Sequence, residues 1–131
     1  MKHISIIAAF LITIGTQVVG EIVLYCQSEL ATGFVKKGDA WVQGGFKKDR
    51  FTVKFNDDFT TLEGFAYGPM DCKVNFPSVL PSQVQCLISS GQSVLYNKQT
   101  KRFVFANLSI SGFVETSDDS DTIHAGTCTK F

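Results

Sequence analysis

Phe51-Thr52-Val53-Lys54-Phe55 alternates apolar and polar residues with a period of two, and that period decides the fold class. Successive side chains of an extended chain point to opposite faces, so Phe51, Val53 and Phe55 share one face and Thr52 and Lys54 the other. A segment patterned this way is a strand buried on one side and wet on the other. Comparable runs lie at 21–26, 40–46, 62–67, 83–89, 93–96, 102–107, 108–114 and 122–128, separated by segments rich in Gly, Asp, Asn, Ser and Lys. No segment of helical length sustains an apolar stripe at helical spacing.

The connections carry their own signals. Lys36-Lys37-Gly38-Asp39, between Phe34 and Trp41, and Asn97-Lys98-Gln99-Thr100-Lys101, between Tyr96 and Phe103, read as lysine-bearing hairpin tips. Phe76-Pro77-Ser78-Val79-Leu80-Pro81-Ser82 is the least strand-like stretch, because two prolines remove ladder donors and hold an extended loop. Eight or nine antiparallel strands in so short a chain leave exposed edges, which invite aggregation unless the sheet closes or folds over. The expected fold is therefore all-β, a small antiparallel barrel or flattened barrel of about eight strands. The chain holds 12 phenylalanines, most at alternating strand positions, where they fill the interior.

Composition bounds the function classes. A chain of 131 residues with 44% hydrophobic residues and 12 Lys+Arg against 12 Asp+Glu suits one globular domain. Balanced charge removes the basic footprint of a nucleic-acid binder, and the weight of glycine, phenylalanine and β-branched residues removes a long coiled coil.

At the amino terminus, Lys2 and His3 precede an apolar run over 4–14 that is too short to cross a bilayer and reads as the core of an export signal. Gly15-Thr16-Gln17 breaks the run, and Val18-Val19-Gly20 places cleavage after Gly20. This predicts a signal peptide over 1–20, a single β-barrel domain over 21–131, a periplasmic or secreted location, and no stable membrane anchor after cleavage.

All four cysteines follow Gly20, and an even number in a small exported domain means two disulfides. Of three possible pairings the nested one is expected. Cys72–Cys86 brackets the proline loop, and Cys26–Cys128 joins the two ends of the domain. The cysteines form no C-x-x-C pair and His124 is the sole histidine after Gly20, so neither a zinc site nor any other metal or cofactor is expected.

Catalytic candidates are few. A hydrolase would have to be built on His124 alone, within Asp121-Thr122-Ile123-His124-Ala125-Gly126-Thr127-Cys128, where an ordinary strand histidine is the simpler reading. Glu115, Asp118, Asp119 and Asp121 cluster in sequence but lack the spacing of a calcium loop and read as a solvated acidic segment. Lys36, Lys37, Lys47, Lys48, Arg50 and Lys54 outweigh Asp39 and Asp49 over 36–54, with Trp41, Phe46 and Tyr67 nearby. Lys47 and Lys48 are accordingly candidate binding residues for an acidic partner or an anionic surface, and the acidic segment for a cationic protein. Asn107-Leu108-Ser109 matches the N-glycosylation acceptor.

Tyr25 and Cys26, Ala31-Thr32-Gly33-Phe34, Trp41, Arg102-Phe103, Gly112-Phe113 and Gly126-Thr127-Cys128 together resemble small, uncharacterised exported proteins of Gram-negative bacteria, which bring no known activity. Ser90-Gly91 followed by Tyr96 is similar to the loop that periplasmic C-type lysozyme inhibitors, compact eight-stranded barrels, insert into the lysozyme cleft. The resemblance implies a barrel, with Ser90, Gly91 and Tyr96 as binding residues. The expected function is a non-catalytic exported binding module with a protein partner, inhibition of a cationic hydrolase such as lysozyme being what the resemblance implies. The alternatives are a lipocalin-like carrier of a small apolar ligand and a hydrolase using His124.

Overall fold

The computed structural model describes residues 20–130, so the expected signal segment lies outside the described residues up to position 19. Nine strands follow in order: β1 (Ile22–Lys37), β2 (Ala40–Gly45), β3 (Arg50–Phe55), β4 (Thr61–Glu63), β5 (Met70–Lys73), β6 (Gln83–Leu87), β7 (Gln92–Asn97), β8 (Arg102–Asn107) and β9 (Asp121–Lys130). The described residues contain no helix. Neighbours run β1-β3-β4-β5-β6-β7-β8-β9, and β9 returns to β1, closing an eight-stranded antiparallel barrel as the period-two pattern predicts. Closure pairs the sheet edges that would otherwise be open to association.

β2 stands outside the ring. Ile22–Gln27 of β1 pair with β3, whereas Thr32–Lys37 pair with β2, so β2 and β3 are consecutive stretches of one returning chain interrupted at 46–49. β9 follows the other edge of β1 from Leu24↔Lys130 to Phe34↔Asp121, with a register shift between Ser28 and Leu30. The shift leaves Glu29 as the extra residue of a β-bulge, which bends the long strand at its middle.

Alternation sends Leu24 and Cys26, Val53 and Phe55, Leu62, Met70 and Cys72, Val84 and Cys86, Val94 and Tyr96, and Phe103 and Phe105 into the core. Both disulfides match the nested expectation: Cys26–Cys128 and Cys72–Cys86. Each joins residues directly opposite in register, Cys26↔Cys128 across β1 and β9 and Cys72↔Cys86 across β5 and β6. The two staples thus sit on opposite sides of the ring. On a loop-entropy model each contributes roughly 3–5 kcal/mol, the longer loop more. Two structural disulfides fit an oxidising, non-cytoplasmic compartment.

Four strand assignments differ from expectation, the first being β1, which runs past the expected 21–26 to Lys37. The run at 62–67 stops at Glu63, because Gly64 turns at φ 111° and its Cα lies so close to β3 that an added Cβ would stand 2.2 Å from the Thr52 carbonyl oxygen. The run at 108–114 is a loop, because the β8–β9 ladder ends at Asn107↔Thr122 and the next available donor, Ser109 N–H, goes to the Asp121 carboxylate at 2.7 Å. β5, only four residues long, is absent from the sequence reading, and its inward pair Met70 and Cys72 places the second disulfide.

Strand direction sorts the loops onto two ends. Loops 56–60, 74–82 and 98–101 lie at one end; 46–49, 64–69, 88–91 and 108–120 lie at the other. At the first end Phe59 folds back on Phe55 with centroids 4.9 Å apart, Tyr96 packs on Phe55 at 5.2 Å, and the Lys98 ammonium stands 5.2 Å from the centre of the Phe59 ring. The Asn56 carboxamide oxygen accepts from the N–H groups of Thr60 and Thr61 and holds this turn. The second end is open.

Candidate functional site at the open end of the barrel

Ser28 continues the inward series Leu24, Cys26 one step further, and its hydroxyl is fully buried. A buried hydroxyl needs a partner. It accepts from Asp49 N–H at 2.6 Å and donates to the Asp49 carbonyl at 3.1 Å, while Ser28 N–H reaches the same carbonyl at 2.9 Å. With Phe46 N–H on the Ala31 carbonyl, these bonds pin both ends of 46–49 to β1 and leave the intervening residues standing outward. Lys47 thereby borders a cleft of about 540 Å³. The Gly64 turn brings Phe65, Ala66 and Tyr67 across the barrel end to form the facing wall.

The floor is aromatic. Phe51 and Phe65 lie 4.8 Å apart, Phe65 and Phe105 5.2 Å, and the His124 ring lies roughly parallel to Phe105 at 6.2 Å and edge-on to Phe51 at 5.8 Å. His124 retains only 6% of its surface, and its Nδ1 is buried without a hydrogen-bond partner. An unpaired buried polar atom of this kind costs about 1–3 kcal/mol. Asn107 and Thr122 supply polar side chains at the edge, the Asn107 carboxamide oxygen already accepting from Gln92 at 3.1 Å.

The candidate residues separate by location. Lys47 lines the cleft, and Lys48 is exposed on the same pinned segment outside it. Phe46 and Tyr67 also line it, whereas Trp41 packs edge-on against Phe113 at 5.4 Å on the 108–120 loop. Ser90 and Gly91 form the tip between β6 and β7 at the same open end; the Ser90 hydroxyl donates to the Gln92 side chain, and Gly91 turns at φ 94° against the Leu108 carbonyl. Tyr96 does not join them. It sits at the far end of β7, 3% exposed, against Phe55, where burial pushes its phenol pKa up. The inhibitor-like grouping of Ser90, Gly91 and Tyr96 is therefore not assembled.

The acidic segment is tied to itself. Asp121 accepts from Ser109 N–H, Asp119 from the Ser111 hydroxyl at 2.9 Å, and Asp118 pairs with Lys36 at 3.2 Å. Among the described residues no group of three or more His, Cys, Asp or Glu side chains is arranged to hold a metal ion. Ser28, Phe65 and Phe105 escaped the sequence reading as site residues. For Ser28 a signal existed: extending the first strand past Cys26 puts a hydroxyl at the next inward position, which demands a partner elsewhere in the chain. No family model, no curated protein and no solved structure matches the chain.

Proposed function

We propose that the protein is an exported, non-catalytic binding module, periplasmic or secreted, that meets an acidic protein surface with the open end of its barrel. The observation that carries this reading is the state of the charges there. Lys47 and Lys48 stand on a segment held rigid through Ser28, and among the described residues neither makes an ion pair. Of the nearby carboxylates, Asp118 pairs with Lys36 while staying exposed, Asp119 accepts from the Ser111 hydroxyl, and Asp121 accepts from Ser109 N–H. Free cations on a preorganised segment speed encounter with an acidic surface and lose no conformational freedom of the backbone on docking. A catalytic role for His124 finds little support, since no carboxylate orients its Nδ1.

The test is an NMR titration of the oxidised domain with polyglutamate and, separately, with polylysine and lysozyme. Polyglutamate is expected to shift the amides of Lys47 and Lys48, and reversing both charges with Lys47→Glu and Lys48→Glu to remove the effect. Binding of polylysine or lysozyme in its place, or indifference to the charge reversal, overturns the reading.

A further inference from the structure

We propose that the open-end cleft is a binding site for a small, flat aromatic anion, a ligand class beyond the protein partner inferred above. Three observations converge on it. The cleft, about 540 Å³, falls within the range of small-molecule sites. Phe46, Phe51, Phe65 and Tyr67 line it with rings that are half-buried or exposed, and Phe105 and His124 lie beneath them, so the cleft offers an aromatic bed to one flat body. Within that bed His124, 94% buried by its 6% exposure, holds an Nδ1 that nothing in the protein satisfies.

The polarity of the ligand follows from the rim. Lys47 borders the cleft, and although Asp49 borders it too, Lys47, Lys48 and Arg50 outnumber Asp49 in the stretch 47–50. A ring bearing a carboxylate or sulfonate buries its apolar body on the phenyl faces and keeps its charge at Lys47. Because Nδ1 makes no hydrogen bond, none is broken there when the imidazole turns toward a polar group of the ligand. A neutral imidazole accepts from a ligand hydroxyl or donates to a ligand oxygen, according to its tautomer.

The probe is 2-naphthoate, titrated into the oxidised domain with 2-naphthylmethylammonium as the same ring system carrying the opposite charge. Naphthoate is expected to shift the side-chain resonances of Phe65, Phe105 and His124, including the imidazole nitrogens, and to bind about tenfold more tightly than the ammonium compound. Lys47→Glu should weaken naphthoate about tenfold, whereas Lys73→Glu, on β5 and outside the cleft, should change it by no more than about threefold. Phe65→Leu, which keeps bulk but removes a ring face, should weaken it with the fold intact by circular dichroism. Failure of naphthoate to shift Phe65, Phe105 and His124 at millimolar concentration, or equal affinity for the two probes, overturns the proposal. If polyglutamate fails to bind while naphthoate binds with this residue dependence, only the protein-partner reading falls.

Discussion

Phe51 and Phe55 stand on the same face of β3, and they meet opposite fates. Phe55 is 1% exposed and covered by Phe59 and Tyr96; Phe51 remains half-buried in the floor of the cleft. Both ends of the barrel are lined with rings, so aromatic content alone does not distinguish core from site. The difference lies in what each end's loops do with their hydrogen bonds. At the sealed end Asn56 draws the chain into a tight turn that lays Phe59 over the core. At the open end Ser28 holds 46–49 outward, Gly64 turns 65–67 across only part of the opening, and Ser109 N–H ties the 108–120 loop to Asp121 of β9. A closed barrel becomes a receptacle where its loops bond sideways.

The largest test of this contrast replaces one ring at each end. Phe55→Ala should cost about 3–5 kcal/mol, as expected for a phenyl deleted from a packed core. Phe65→Ala should cost only about 1 kcal/mol, because its ring is already partly in water. Chemical denaturation of both variants decides it, and equal losses would mean that the open end is core after all.

A smaller effect is expected at the hinge between the two behaviours. Ser28→Ala leaves the Asp49 N–H without its 2.6 Å partner, and about 1–2 kcal/mol should be lost. Amide exchange at Asp49 should accelerate by more than exchange in β3, and naphthoate affinity should fall as Lys47 loses its fixed place. An unchanged Asp49 exchange rate would show that Ser28 does not hold the segment.

The smallest effect has the opposite sign. His124→Phe removes the unpaired Nδ1 and keeps the ring, so stability should hold or rise by up to about 1 kcal/mol, while naphthoate binding weakens. A clear loss of stability would instead identify a native hydrogen bond at this nitrogen and remove the reason to read the site as built for a ligand.

The period-two runs, the turn residues between them and the spacing of four cysteines were enough to reach an all-β barrel with nested disulfides. Alternation is a local signal that says which face of a strand is wet, and the nested pairing followed from the proline loop between Cys72 and Cys86 and from the placement of Cys26 and Cys128 at the two ends of the domain. Hairpin tips at 36–39 and 97–101 were legible from local signals too. Alternation is silent about height along the barrel axis. It could not say that Tyr96 is drawn to the sealed end while Ser90 and Gly91 sit at the open one, or that Phe51 lines a cleft and Phe55 a core. It also misread 108–114, where exposed apolar residues alternate in a loop whose backbone donor goes to the Asp121 carboxylate. Those outcomes depend on contacts made at long separation. Ser28 meets Asp49 across 21 positions, and Gly64 meets Thr52 through a close backbone approach. Pairing of β1 with β3 and of β3 with β4 brings these partners together, and closure of the ring through β1 and β9 sets His124 beside Phe51 to complete the cleft.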